Sequence, residues 1–223
     1  MKPTELLGRT VAPGGSDLRL MRRDTEYIIL VDNRPLMSSR MHGSEEALAS
    51  FAFDHLGDRR HAQVLVGGLG MGFTLRAVLD RLRPDGRVTV AELIPAVVEW
   101  NRGPLGPLAG EPLNDQRVSV EVGDVGAVLR AAPARFDAIL LDVDNGPSAI
   151  TADTNDALYD NAGVAAAFAA LKKGGVLGVW SAYDDRKFEQ RLRYHGFDAR
   201  AERVRARLAK GGPRHTIFIG VKR

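Results

Sequence analysis

The sequence predicts an α/β protein: a Rossmann-like, doubly wound seven-stranded sheet, mostly parallel with its last strand antiparallel, preceded by a small N-terminal β-rich lead. Three observations carry that expectation. From about residue 60, apolar runs of strand length alternate with helix-length segments, the pattern of parallel strands joined by crossover helices. A glycine loop, Gly68-Leu69-Gly70-Met71-Gly72, stands between the first such run and the first such helix. The next runs end in acids, Glu92, Asp124 and Asp142, and open α/β sheets hold ligands at the carboxyl ends of their strands.

In chain order, residues 1–42 read as the lead. Leu18 to Met21 and Tyr27 to Val31 are short apolar runs, and Arg34 to Ser38 is a third candidate strand. Asp24-Thr25 and Asp32-Asn33 are polar breaks suited to turns. Residues 43–223 read as the main domain. Its opening helix spans Gly43 to Leu56, with Ser44 as the expected N-cap and Glu45 and Glu46 in the first turn. Leu48, Phe51, Ala52 and His55 recur at helical spacing and define its expected inner face. Gln63 to Val66 is a buried strand, and a helix through Thr74 to Leu79 follows the glycine loop. Arg87 to Ala91, Val118 to Val122 and Phe136 to Leu141 are the next strands, and Pro95 opens the helix after Glu92, where a missing N–H costs nothing. A helix from Ala157 to Leu171 closes on Lys172-Lys173-Gly174-Gly175, a cationic end with a glycine stop. Val176 to Trp180 is the fifth strand, Lys187 to Tyr194 a helix, and Ala199 to Arg207 and Thr216 to Val221 the closing β runs.

Composition narrows the chemistry. A chain of 223 residues, 44% hydrophobic and 26% charged, has the make-up of a soluble globular protein with one main core. The absence of cysteine removes disulfides, thiolate catalysis and cysteine zinc sites together. The first residues lack a signal-type apolar segment, and no apolar run approaches the ~20 residues of a membrane span, so a cytoplasmic location and no membrane partner are expected. The net charge is only +3. Arg203, Arg205 and Arg207 alternate with Val204 and Ala206 and would share one face of a strand. A solvated face is the expected reading, and a nucleic-acid patch is the alternative.

The strand-end residues point to chemistry. Glycines at 68, 70 and 72 let the backbone turn tightly and approach a ligand, and the helix behind them offers free N–H groups. A dinucleotide fingerprint would need glycine at position 73, where Phe73 stands. Glu92, 20 residues beyond Gly72, is placed to accept hydrogen bonds from both hydroxyls of a ribose. Asp124 could take the exocyclic amine of adenine or cap the helix that follows, and both can hold. Asp142 could orient an amine nucleophile and take its proton, or steady a developing cation. Asp142 and Asp144 could instead share a metal, but no histidine pattern supports that, and no metal is expected. His42 is a further acid–base candidate, more ordinarily structural. Trp180 and Tyr183 could wall an acceptor pocket, with core packing the alternative for the tryptophan.

Together these residues resemble the spermidine synthase family, the aminopropyltransferases built on the class I methyltransferase fold. The resemblance runs over roughly residues 18 to 182. It rests on Val64 to Leu79 with its glycine loop and Thr74-Leu75-Arg76, on Val90-Ala91-Glu92-Leu93-Ile94-Pro95, on Phe136 to Asp142, and on Lys173-Gly174-Gly175-Val176-Leu177. It implies an S-adenosylmethionine or decarboxylated S-adenosylmethionine co-substrate, a small-molecule amine acceptor, ribose binding at Glu92, adenine binding at Asp124 and a base at Asp142. The chain departs from the family at the acceptor end. Met71 stands where the family's loop carries an aspartate. Asn145 stands at the second acid of its Asp-x-x-Asp, and Ser44-Glu45-Glu46 replaces its Tyr-His-Glu. The acid that ordinary methyltransferases place before the loop is also missing, because Val66 stands there. Glu45, Glu46 and Asp144 are the candidates to replace the lost acids. Aminopropyl transfer is the leading expectation. Methyl transfer to a small molecule is the second, and a non-catalytic nucleoside- or nucleic-acid-binding relative the third. The edges of the lead could pair in a homodimer.

Overall fold

The computed structural model describes residues 3–143, 156–207 and 212–223. The lead is a four-stranded antiparallel meander of β1 (Glu5–Val11), β2 (Asp17–Arg23), β3 (Glu26–Val31) and β4 (Arg34–Ser38). Asp32 and Asn33 both take positive φ, 48° and 65°, the two-residue hairpin geometry that short polar side chains tolerate. β1 was not among the expected strands. Its apolar run is broken by Gly8, and its register with β2 shifts between Leu6 and Gly8. The reason is tertiary: a side chain at position 8 would overlap the indole of Trp100.

The main sheet comprises β5 (Gln63–Gly67), β6 (Arg87–Glu92), β7 (Val118–Val122), β8 (Phe136–Leu141), β9 (Leu171–Ser181), β10 (Phe197–Arg205) and β11 (Arg214–Lys222). Their order is β10-β11-β9-β8-β5-β6-β7. β5 to β9 pair in parallel, and β11 runs antiparallel to both neighbours, β9 and β10. The seven-stranded sheet with its last strand reversed is thus the one expected. β5 has β6 on one side and β8 on the other, so the strand order switches direction there and opens a crevice at the carboxyl ends.

The helices are α1 (Gly43–Leu56), α2 (Phe73–Arg81), α3 (Pro95–Arg102), α4 (Val125–Ala131), α5 (Asp156–Tyr159), α6 (Asn161–Ala170) and α7 (Arg186–Tyr194). Two apolar clusters cover the two faces of the sheet. One joins Val64, Val66 and Val90 to Leu48 of α1, Leu75 of α2 and Leu20 of the lead. The other joins Leu65, Ile139 and Leu141 to Val164 of α6 and Phe188 of α7. Successive residues of β5 therefore bury on opposite faces, which is why the strand reads as a continuous apolar run.

Two local expectations change. Ser44 does not cap α1: the N-cap is His42, with no side-chain cap bond, because the Ser44 hydroxyl is used elsewhere. The buried face of α1 runs through Glu45, Leu48, Ala49, Ala52, Phe53 and Leu56, while His55 is exposed. The single helix expected over 157–171 is broken at Asp160, whose carboxylate accepts from the Gly163 N–H at 2.8 Å and starts α6. Among the described residues, no helix is long and apolar enough to cross a membrane.

Candidate active site

A cavity of about 270 Å³ lies at the carboxyl ends of the central strands, between the glycine loop, the ends of β6 to β9 and the inner side of the lead. Glu92 organises one end of it. The side chain is 7% exposed, and each carboxylate oxygen accepts a backbone N–H, Oε2 from Leu69 at 2.8 Å and Oε1 from Ile94 at 2.9 Å. It therefore ties the glycine loop to the end of β6. Asn101 of α3, almost fully buried, braces the loop from the other side by donating to the Gly70 carbonyl at 2.8 Å.

Gly68 takes φ 85°, and a Cβ there would overlap the carbonyl oxygen of Asp142. The loop and the end of β8 touch backbone to backbone only because position 68 has no side chain. Gly70 faces the Met37 side chain of β4, so the lead roofs the loop. Met71 points away from the cavity into the core, 1% exposed.

Asp124 lines the cavity and also caps α4, accepting from Gly126 at 2.9 Å and Ala127 at 3.0 Å. The capping half of the expectation for this residue is thus present in the geometry. The apolar walls beside Glu92 and Asp124 come from Leu93, Ile94 and Val125.

The other end of the cavity is acidic. Asp142 accepts from the Thr74 hydroxyl at 2.6 Å, so the first turn of α2 sets its orientation. Glu45, 7% exposed, lines the same space. Its carboxyl group is pushed up to about 8, first by burial and then by the negative charge of Asp142 beside it. Ser44 donates to Glu45 Oε2 at 2.6 Å and lies 2.9 Å from His215 Nδ1. Burial pushes the His215 imidazole below its ordinary value. Trp180 packs edge-on against His215, with ring centroids 4.6 Å apart, and its buried indole N–H has no hydrogen-bond partner among the described residues.

The structure thus gathers Gly68, Gly70, Glu92, Asp124, Asp142 and Glu45 around one cavity. Gly72 stands just behind as the left-handed N-cap of α2. Glu46 faces His42 instead, at 2.7 Å from Nδ1, and His42 stacks on Phe73. The Tyr183 side chain is half exposed and lies outside the cavity wall. Asp144 lies outside the described residues. Sequence reasoning missed the bracing role of Asn101, the Thr74 contact to Asp142 and the approach of His215. The Thr74 position was visible in the Thr-Leu-Arg motif, but Asn101 and His215 carry no local signal. Among the described residues, no group of three or more His, Asp or Glu side chains is arranged to hold a metal ion.

Comparisons with known proteins bear on the family and the fold. The profile of the spermine/spermidine synthase domain matches residues 41–188. A polyamine aminopropyltransferase from Corynebacterium efficiens is 33% identical over 136 residues, which is 60% of this chain and 25% of that relative. The chain therefore spans only about a quarter of that relative's length. Among solved structures, spermidine synthase from Thermotoga maritima superposes with a TM-score of 0.78 at 18% identity, covering 98% of this chain and 73% of the other. A probable spermidine synthase from Corynebacterium glutamicum gives 0.66 at 18% identity, over 96% and 79% of the two chains. A spermidine synthase solved with the transition-state analogue AdoDATO gives 0.75, also at 18% identity, over 98% and 72%. At that identity the structures speak for the fold, and it is the domain match across two thirds of the sequence that decides kinship: the chain belongs to the spermine/spermidine synthase family.

Proposed function

We propose that the protein transfers an aminopropyl group from decarboxylated S-adenosylmethionine to a small-molecule amine. The observation that carries this reading is the joining, in one cavity, of a cradle suited to adenosine with a pair of carboxyl groups, Asp142 and Glu45, close enough to raise Glu45 by repulsion. The name of the Corynebacterium efficiens relative and the analogue bound to one structural neighbour support it.

The residues fit the donor. Gly68 and Gly70 keep side chains out of the loop, and Glu92, which accepts two backbone N–H groups at the cavity edge, is the carboxylate placed to meet ribose hydroxyls. Asp124 can accept from an adenine amine while capping α4. When bound, the donor supplies a carbon made electrophilic by its sulfonium neighbour. The chain's own part is to draw an ammonium toward Asp142 and Glu45, hold the amine in line and accept its proton. Asp142, fixed by Thr74, does the orienting, and the carboxyl pair shares the proton as a unit. A homodimer through the lead belongs to the same reading, since Leu6 and Val11 stand exposed on its edge strand β1.

One observation favours methyl transfer as a second reading. Met71 replaces the family's loop aspartate and is buried, so the loop offers no side-chain carboxylate to the donor's amine. The third expectation has lost much of its support, because Arg203 pairs with Asp184 at 2.7 Å instead of joining an open basic stripe. Incubation with the decarboxylated donor and a linear diamine, followed by mass spectrometry, separates the readings. Aminopropylated amine and methylthioadenosine are expected, with Asp142→Asn at least 10²-fold slower. A methylated amine formed with the carboxylated donor alone would select the second reading.

A further inference from the structure

Resting on the transfer reading above, we propose that Ser44 and His215 form an exit path for the amine's proton, acting through Glu45. Three positions brought together from the two ends of the main domain make this path. Ser44 is fully buried, and its hydroxyl touches both Glu45 Oε2, at 2.6 Å, and His215 Nδ1, at 2.9 Å. A hydroxyl so placed can accept from one neighbour while donating to the other. Glu45 and His215 both line the cavity that Asp142 enters. The arrangement is held from outside the site: the Gly43 N–H donates to the Ala206 carbonyl at 2.9 Å, which fastens the start of α1 to the β10–β11 hairpin. The Trp180 ring, edge-on to the imidazole, limits its tilt.

The protonation states suit the task. With Glu45 raised to about 8 by burial and by Asp142, its carboxylate is a stronger base than an ordinary one and becomes the main form only as the pH rises through about 8. His215, lowered by burial, is neutral and can accept at Nδ1. Among the described residues, the charged and titratable groups facing Glu45 are Asp142 at the end of β8, Glu46 on its own helix, which is paired with His42, and His215 on β11.

The balance is as follows. The amine nitrogen forms the new C–N bond as the C–S bond breaks, with its electron pair going to sulfur. The N–H proton passes to the Glu45 carboxylate. The Glu45 carboxyl then protonates Ser44 Oγ while the Ser44 proton moves to His215 Nδ1. The imidazolium gives its Nε2 proton to solvent, and exchange with solvent resets the tautomer. One proton leaves the site for each amine alkylated.

The 223-residue chain with labelled histidine rings and glutamate carboxyl groups, titrated by NMR without donor or acceptor, tests the path directly. In the wild type, the His215 ring is expected to show an inflection where Glu45 titrates, besides its own. Ser44→Ala and Glu45→Gln should each erase it. A His215 titration identical in all three forms overturns the proposal. Turnover adds a second readout. Ser44→Ala and His215→Gln should lower kcat on the order of 10²-fold and shift the acid limb of the pH profile, with donor KM unchanged, and imidazole should partly restore His215→Ala. Unchanged kcat and pH profile in both variants also overturns it. A wild-type chain that alkylates no amine rejects the transfer reading instead, and the NMR titration still decides whether the path exists.

Discussion

Glu45 holds its protonation against an ordinary value of 4.5 because it is buried beside Asp142. Folding therefore favours its neutral form. That preference is full below pH 4.5 and is lost as the pH rises toward about 8, the point at which the folded group ionises. Glu45→Gln should flatten this part of the stability curve, leaving the variant more stable than the wild type near pH 9 in urea denaturation. A parallel decline in both proteins would show that Glu45 is not the group being titrated. The acids at the strand ends were legible in sequence because strand-end position follows from periodicity. The hydrogen bonds that Glu92 accepts from the Leu69 and Ile94 N–H groups were not, since a ribose-binding carboxylate and a loop-bracing one look alike in a motif. Met71 is the reverse case. Sequence comparison marked it as a lost acid, and only burial explains what the methionine does instead, which is to fill core space beneath the loop.

The glycine loop and the strand ends act as one element. Gly68 is where the loop presses on the Asp142 carbonyl. Gly68→Ala would force a side chain into left-handed backbone, costing roughly 1–2 kcal/mol, and would also displace Asp142. Loss of donor binding by calorimetry is expected with only a modest fall in melting temperature. Retained binding would mean that the contact is not needed to shape the site. The alternating strands and helices of the main domain were readable because each buries a periodic face. β1 was not, because its central Gly8 is selected by Trp100, more than ninety positions away in the chain. For the same reason His215 left no trace in the sequence: its place beside Ser44 exists only once β11 has inserted next to β9.

At the scale of the molecule, the two ends of the sheet have different work. At the end away from the cavity, Asp137 of β8 is 3% exposed and gathers Arg59 at 2.9 Å, Lys172 at 2.7 Å and the Gln63 N–H at 2.8 Å. Burial alone would raise its carboxyl group, but these partners outweigh it and hold the group below its ordinary value of 3.8. The stability it contributes is present above that value and fades as the pH falls below it. Asp137→Ala leaves the Gln63 N–H and two partly exposed cations without their shared partner and should cost about 1–3 kcal/mol at pH 7 in chemical denaturation, with the difference shrinking in acid. An equal loss at all pH values would contradict the assignment. The cavity end borders the space proposed for the donor. Its floor is the switch point of the sheet, and its roof is the lead, so that Leu18, Ile29 and Met37 close over the same space that Glu92 and Asp142 border. That shared space is why we place the lead, residues 1–42, and the main domain, residues 43–223, in one working unit. The central claim is that this space holds an aminopropyl donor, and calorimetry of the full chain against S-adenosylmethionine, its decarboxylated form and methylthioadenosine tests it most directly. Tighter binding of the decarboxylated form than of the carboxylated one is expected, because the Asp142 carboxylate repels a second carboxylate and the buried Glu45 beside it already resists ionising for the same reason. Preference for the carboxylated form, or no binding of any of the three, would contradict the account.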